Sequence, residues 1–312
     1  MPATRTATPV TAAAPRTLCV TVLAGGPSAE REVSLASGQA VTEALRRCGH
    51  EVYLADIGPD NLSALERRAD VVFPALHGTF GEDGTIQRIM EERGIRFVGS
   101  GSQASALAMD KVATKRIAID AGVPTPPYEV VEHGGMPTLP PPLVIKPVAE
   151  GSSVGTIIIR EAGELGPAVE AVAGTYGQAL LEQYIEGDEL TVGIVGNQTL
   201  PPICIRPDRE FYDYQAKYHD DRTEYVFDAG YPKDVLDRAC AHSQRVYQAL
   251  GCRHLARVDW MIGRDTRLWL LEVNTMPGFT SHSLVPKAAA QLGIGFEELV
   301  DRLLRMALED RS

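Results

Sequence analysis

Two positions apart near the end of the chain, Glu272 and Asn274 follow an apolar run, and Asp259 lies inside another. If both runs are strands, alternation puts Glu272 and Asn274 on one face. Two carboxylates and a carboxamide oxygen are hard donors of the kind Mg²⁺ takes together with phosphate oxygens and water. The plainer reading is a wet sheet face. The flanking runs Trp269-Leu-Leu271 and Val258-Asp-Trp-Met-Ile262 weigh against it, because a carboxylate embedded in apolar sequence is costly unless paired or metal-bound. Arg257 shares the face of Asp259, either as its salt-bridge partner or as a donor to a developing oxyanion. Lys146 ends an apolar run, Lys111 opens a helix-like segment, and Lys217 sits in a tyrosine-rich stretch. Each alone reads as a solvated surface lysine. Together with the glycine-serine run Glu150-Gly-Ser-Ser-Val-Gly155, whose backbone N–H groups are unobstructed, they suggest phosphate binding. The same run reads equally as a plain hairpin turn. Neither a Walker A sequence nor a G-x-G-x-x-G pattern after Gly26 occurs, so the site is neither a P-loop nor a standard dinucleotide fold. Glu182 and Glu189 are weak signals by themselves.

The elements that must hold these residues alternate. Residues 18–24 read as a buried strand, followed by a helix with Val33, Ala40, Val41, Ala44 and Leu45 on one face that stops near Gly49. Strand-like runs at 52–55 and 71–76 complete a parallel α/β pattern, which places a first unit at 17–109. A second unit, 110–205, holds a helix to Ala121, a proline-rich connection over 124–142, and strands at 143–146, 156–159, 179–184 and 190–195. A third, 206–312, holds a tyrosine-rich loop over 209–224, a helix over 234–250, strands at 255–262 and 268–274, and a closing helix over 296–308.

Bulk properties narrow the function classes. Of the 312 residues 44% are hydrophobic and 23% charged, which is ordinary for a soluble globular protein. A net charge of −11 argues against a nucleic-acid partner but still allows a nucleotide held by local Lys and Arg. No apolar run reaches membrane-spanning length. The five cysteines are scattered with no C-x-x-C pair, so they read as reduced thiols in a cytosolic protein. The Ala-, Thr- and Pro-rich residues 1–16 read as a disordered tail.

Ten collinear segments then carry a resemblance. Gly25-Gly-Pro-Ser-Ala-Glu-Arg-Glu-Val-Ser34, Ala75-Leu-His-Gly78, Gly81-Glu-Asp-Gly84, Gly99-Ser-Gly101, Met109-Asp-Lys111, the 150–155 run, Phe211-Tyr-Asp-Tyr214 with Ala216-Lys-Tyr218, Glu272-Val-Asn-Thr275 and Pro277-Gly-Phe-Thr-Ser-His-Ser-Leu-Val-Pro286 resemble the D-alanine–D-alanine ligases. The resemblance implies a three-unit ATP-grasp fold of α/β (α+β) class with an N-terminal parallel α/β domain. It also implies ATP as co-substrate and two Mg²⁺ ions, with Mn²⁺ as a substitute, on Asp259, Glu272 and Asn274. Lys111, Lys146, Ser153 and Lys217 would then face the phosphates. Glu182, Ile185, Glu189, Met261 and Leu271 would hold the adenosine. Glu30 and His77 would hold the first D-alanine, Ser283 and Leu284 the second, and Arg257 with the Gly278 N–H the oxyanion. Ser152 and Tyr218 would join Glu30 in a hydrogen-bonded set that locks the lid loops. A cytoplasmic homodimer, with no nucleic-acid or membrane partner, belongs to the same expectation.

Two positions depart from the family pattern: Gln183, where many relatives have Lys, and Phe279, where Met is common. The rival readings are a ligase using D-lactate or D-serine as second substrate, a non-catalytic ATP-binding relative and a plain phosphotransferase. Tyr218 goes with dipeptide formation in this family.

Overall fold

The computed structural model describes residues 16–206 and 223–310. Strands β1 (Cys19–Gly25), β2 (Glu51–Ile57) and β3 (Val71–Pro74) form a parallel sheet in the order β2-β1-β3. Helix α1 (Arg31–Arg47) crosses over between β1 and β2, with Glu32 in its first turn and Arg46 and Arg47 in its last, both favourable to the helix dipole. Its buried face is Ser34, Ser37, Gly38, Val41, Ala44 and Leu45, a 3.6-residue stripe. The expected stripe is therefore corrected at two positions: Ala40 is only half-buried, and Val33 is half-buried and faces a cavity instead. Gly38 marks where α1 presses on β1, since a Cβ there would lie 2.5 Å from that of Ala24. The helix stops at Gly49, as its sequence indicates, with the His50 N–H closing back on the Leu45 carbonyl. Helices α2 (Thr85–Glu92) and α3 (Ser102–Met109) complete this part.

A four-stranded antiparallel sheet follows: β4 (Tyr128–Glu132), β5 (Leu143–Pro147), β6 (Ile157–Ile159) and β7 (Gln178–Gln183), in the order β4-β7-β5-β6, backed by α5 (Leu165–Tyr176). The proline-rich connection therefore contains an edge strand, β4, which among the described residues pairs only with β7. A third, antiparallel sheet contains β8 (Gly187–Val195), β9 (Gln198–Thr199), β10 (Ile203–Arg206), β11 (Glu224–Val226), β12 (Leu255–Gly263) and β13 (Leu268–Asn274). Its order is β11-β10-β8-β12-β13, with β9 on β8. Helices α4 (Lys111–Asp120) and α6 (Lys233–Ala249) share its core. Pairing thus moves the sheet boundary from the expected 205/206 to the turn between Gln183 and Gly187, because β8 and β10 bond to the sheet that holds β12 and β13.

The chain ends with α7 (Leu284–Ala290) and α8 (Phe296–Glu309). Both return to the first sheet: Leu299, Val300, Leu303 and Leu304 are buried in one core with Val41, Leu45, Val71 and Phe73. Phe279 lies in that core between the rings of Phe73 and Phe296, so the Met-to-Phe departure is accommodated by packing.

Candidate active site

Strand β12 alternates as its sequence requires. Val258, Trp260 and Ile262 are fully buried, which leaves Arg257, Asp259 and Met261 on the opposite, open face. On β13 the register shifts: Asp259 pairs with Glu272 but Trp260 pairs with Leu270, so Leu271 is an extra, bulged residue. A bulge re-aims side chains. Here it brings Leu271 and Glu272, consecutive in sequence, to the same cavity.

Two cavities meet at this face. One, of about 300 Å³, lies between the two antiparallel sheets. Its walls include Lys146, Ser153, Glu182, Ile185, Glu189, Met261, Leu271 and Asp259, so every described residue expected at the nucleotide is brought together. The other, of about 440 Å³, is lined by Glu30, His77, Ser152, Asn274, Gly278 and Ser283. Lys111, Glu150, Arg257, Glu272 and Leu284 belong to both. Lys217 and Tyr218 fall outside the described residues, as does the tail 1–15.

The charges at the seam are paired. Asp110 caps α4 by accepting from the N–H groups of Val112 and Ala113 (2.9 Å each), which fixes Lys111 at the first turn. Lys111 Nζ donates to the Glu150 carbonyl and lies 3.4 Å from Glu272 Oε2. Asp259 accepts from Arg257 Nε (2.9 Å), Thr191 Oγ1 (2.6 Å) and Asn274 Nδ2 (3.0 Å). Both readings of Arg257 survive, since it bonds Asp259 and also lines both cavities. Lys146 meets Glu182 at 2.8 Å, so the expected phosphate lysine and the expected adenosine carboxylate touch. Gln183 Nε2 donates to the Pro142 carbonyl (3.2 Å) at the cavity wall.

The glycine-serine run is the turn between β5 and β6 and roofs the seam. Ser152 and Ser153 both have positive φ (51° and 60°), a costly conformation for non-glycine residues that clusters at ligand clamps. Ser152 Oγ donates to Glu30 Oε1, and a Cβ at Gly151 would come within 2.9 Å of Glu30 Oε2. The roof is thereby tied to the start of α1, across 122 residues.

Beneath it, His77 Nδ1 donates to the Met276 carbonyl (2.9 Å), and its Nε2 accepts from Ser37 Oγ (3.3 Å), which in turn accepts from the Phe279 N–H (3.0 Å). Burial pulls the His77 imidazole below its ordinary value, so it is the neutral form that fits this chain of bonds. Glu82 accepts from the N–H groups of Gly78 (3.0 Å) and Met276 (3.1 Å). Burial, then the nearby Glu30 charge, pushes Glu82 up to about 8. His77 and Glu82 therefore hold both sides of the Met276 peptide, two residues before the expected oxyanion donor Gly278. The sequence reading quoted Glu82 within its motif and gave it no role. Lys115 was missed altogether, although it follows Lys111 by one helical turn.

Among the described residues no three His, Cys, Asp or Glu side chains group as a metal cage. The facing pair Asp259 and Glu272, with Asn274 on the same strand as Glu272, nevertheless suits Mg²⁺, which takes one or two carboxylates and completes its shell with phosphate and water. The residues fit the ion only alongside a nucleotide.

Two antiparallel sheets closing on a nucleotide-sized cleft, a backbone-rich roof loop and a carboxylate pair beside lysines define an ATP-grasp enzyme. Comparison narrows this further. The D-ala D-ala ligase C-terminus model matches residues 118–305, and the N-terminus model matches 59–100. The D-alanine–D-alanine ligase of Syntrophotalea carbinolica is 47% identical over 91% of this chain and 94% of its own. That of Moorella thermoacetica is 41% identical over 93% and 99%. A Bacillus anthracis D-alanine–D-alanine ligase solved with ATP superposes with a TM-score of 0.81 at 30% identity, covering 94% of this chain and 98% of that one. The VanG D-Ala:D-Ser ligase of Enterococcus faecalis gives 0.82 at 28%, covering 94% and 100%. The chain belongs to the D-alanine–D-alanine ligase family.

Proposed function

We propose that this protein joins two D-alanine molecules at the expense of ATP, through a D-alanyl phosphate. The observation that carries the reading is the seam, where a nucleotide-sized cavity and a polar second cavity share Lys111, Glu150, Arg257, Glu272 and Leu284. A phosphoryl group and a carboxylate meet only there.

ATP occupies the first cavity, with its base between Met261 and Leu271 and beside Glu182, Ile185 and Glu189. Lys111, Lys146, Ser153 and Lys217 face its phosphates. Mg²⁺, or Mn²⁺, held by Asp259, Glu272 and Asn274 would neutralise phosphate charge. The first D-alanine lies in the second cavity with its ammonium at Glu30 and its carboxylate toward the seam, beside His77. A carboxylate oxygen attacks the γ-phosphorus, the bond to the β-phosphate oxygen breaks, and ADP leaves. The second D-alanine, held by Ser283 and Leu284, then attacks the acyl carbon with its neutral amine. Arg257 and the Gly278 N–H stabilise the oxyanion of the tetrahedral intermediate. The C–O bond to phosphate breaks, phosphate departs with the former carboxylate oxygen, and the amine loses its proton. Ser152, with Glu30 and Tyr218, keeps the roof closed and excludes water from the acyl phosphate.

No helix among the described residues is long and apolar enough to cross a membrane. The reading places the enzyme in the cytoplasm as a homodimer, supported by the family resemblance. The test is phosphate release from Mg-ATP with D-alanine, L-alanine, D-alanine plus D-lactate, and D-alanine plus D-serine, with products identified by mass. D-Ala–D-Ala from D-alanine alone is expected. Product only from a mixed pair would reassign the second substrate, and ATP binding without release on any of them would remove the ligase reading.

A further inference from the structure

We propose that Lys115 is a positioning residue of the nucleotide site, which neutralises Glu182 so that Lys146 is free to leave it for a phosphate. The inference rests on the ligase reading, which puts Lys146 at the phosphates. Lys115 is sealed: its side chain is 0% exposed, so no ligand reaches it. Its ammonium lies 2.5 Å from Glu182 Oε1 and 2.5 Å from Thr125 Oγ1, with the Tyr128 ring 5.5 Å away. Lys146 takes the other oxygen of Glu182 at 2.8 Å, and Lys146 is the member of the pair that borders the cavity.

One buried carboxylate thus meets two ammonium groups. A buried carboxylate must keep a cation, because an uncompensated charge in the interior is strongly unfavourable. With Lys115 in place that need is met from the closed side, and Lys146 is the cation Glu182 can spare. Without Lys115, Glu182 holds Lys146 as its sole partner and keeps it from the phosphates. Burial brings Lys115 down to about 8, while the two lysines hold Glu182 below its ordinary range, so Lys115 and Glu182 face each other as an ion pair at neutral pH.

Lys115 also joins the two sheets that enclose the nucleotide. Thr125, which accepts from Lys115, donates its hydroxyl to the Leu270 carbonyl (3.0 Å), one residue before the bulge that presents Leu271 and Glu272. The Leu270 N–H donates to Pro124 (2.8 Å). Glu182 on β7 and the bulge on β13 are therefore linked through one buried ammonium.

The experiment is a double-mutant cycle on the full chain, reading Mg-ATP dissociation constants by calorimetry without D-alanine, and KM for ATP and for D-alanine separately. Lys115→Met is expected to weaken ATP binding about tenfold, the effect of losing one charge-assisted contact, with the D-alanine KM within about twofold. Adding the same change to Glu182→Gln is expected to have less than about a threefold effect, because no carboxylate remains to capture Lys146. Lys115→Arg, which keeps the cation, is expected to retain ATP affinity within about threefold. The double variant Lys115→Met, Glu182→Gln removes both sealed charges together and Lys115→Arg keeps the cation, so these two supply the comparison even if Lys115→Met alone does not fold. Equal losses in both backgrounds, or a loss of D-alanine affinity matching that of ATP, would overturn the proposal. A wild-type chain that binds ATP but releases no phosphate with D-alanine would remove the ligase reading and leave the binding cycle interpretable.

Discussion

Glu30 is held at the point where three separate stretches of chain converge. It begins α1, accepts from Ser152 of the roof, and lies close enough to Gly151 and Gly78 that a Cβ at either would crowd its Oε2. We expect Glu30→Gln to raise the first-site D-alanine KM by about tenfold or more, the scale of a charge-assisted hydrogen bond, with a much smaller change in the ATP KM. Steady-state kinetics with each substrate varied separately measure this, and equal changes would take Glu30 out of the ammonium site. Glu82 carries a pH signature. Its ordinary value is 4.5 and its folded value about 8, so the folded protein keeps a proton that the unfolded chain loses. Its contribution to stability is therefore complete below 4.5 and is lost as pH rises through about 8. Glu82→Gln, which cannot ionise, should lose less stability than the wild type across that window. Urea midpoints measured against pH test it, and parallel curves would contradict it. At this scale a motif points to Glu30 and Lys111 and the apolar strand pattern to Asp259, and all three line the two cavities. The sequence was silent on Glu82 and Lys115, because their properties come from burial and from partners up to 194 residues away.

At the scale of elements, alternation made β12 readable. Arg257, Asp259 and Met261 share a face because Val258, Trp260 and Ile262 fill the other. The bulge at Leu271 was not readable, since register belongs to the pair of strands and no glycine or proline marks it. The edge strand β4 was hidden by the prolines around it, and the eight-residue helices α2 and α3 are too short to show a clear period. Helix α1 offers a direct test of how an element positions the site. Gly38→Ala would put a methyl group 2.5 Å from the Ala24 Cβ, and the backbones of α1 and β1 must part to admit it. A loss of about 1–3 kcal/mol is expected from overpacking, read by urea denaturation. A neutral or stabilising result would mean that α1 does not bear on β1 as closely as described.

Across the whole molecule, the three sheets are tied together by contacts that sequence order conceals. Helix α8, at the far end of the chain, shares a core with β1 and β3, and the Met276–Phe279 segment is held from below by Ser37, His77 and Glu82. The boundary expected at 205/206 cuts through a sheet, which sequence order does not reveal, because β8 pairs with β12, sixty or more residues downstream, and β10 pairs with β8. These ties keep the two cavities in contact at Lys111, Glu150, Arg257, Glu272 and Leu284. The central claim is that a carboxylate oxygen crosses that seam to phosphorus. It is tested most directly by turnover of D-alanine labelled with ¹⁸O in its carboxylate, with mass analysis of the released phosphate. The account predicts one ¹⁸O atom in the phosphate for each dipeptide formed, together with unlabelled ADP. Unlabelled phosphate, or label appearing in AMP, would contradict it.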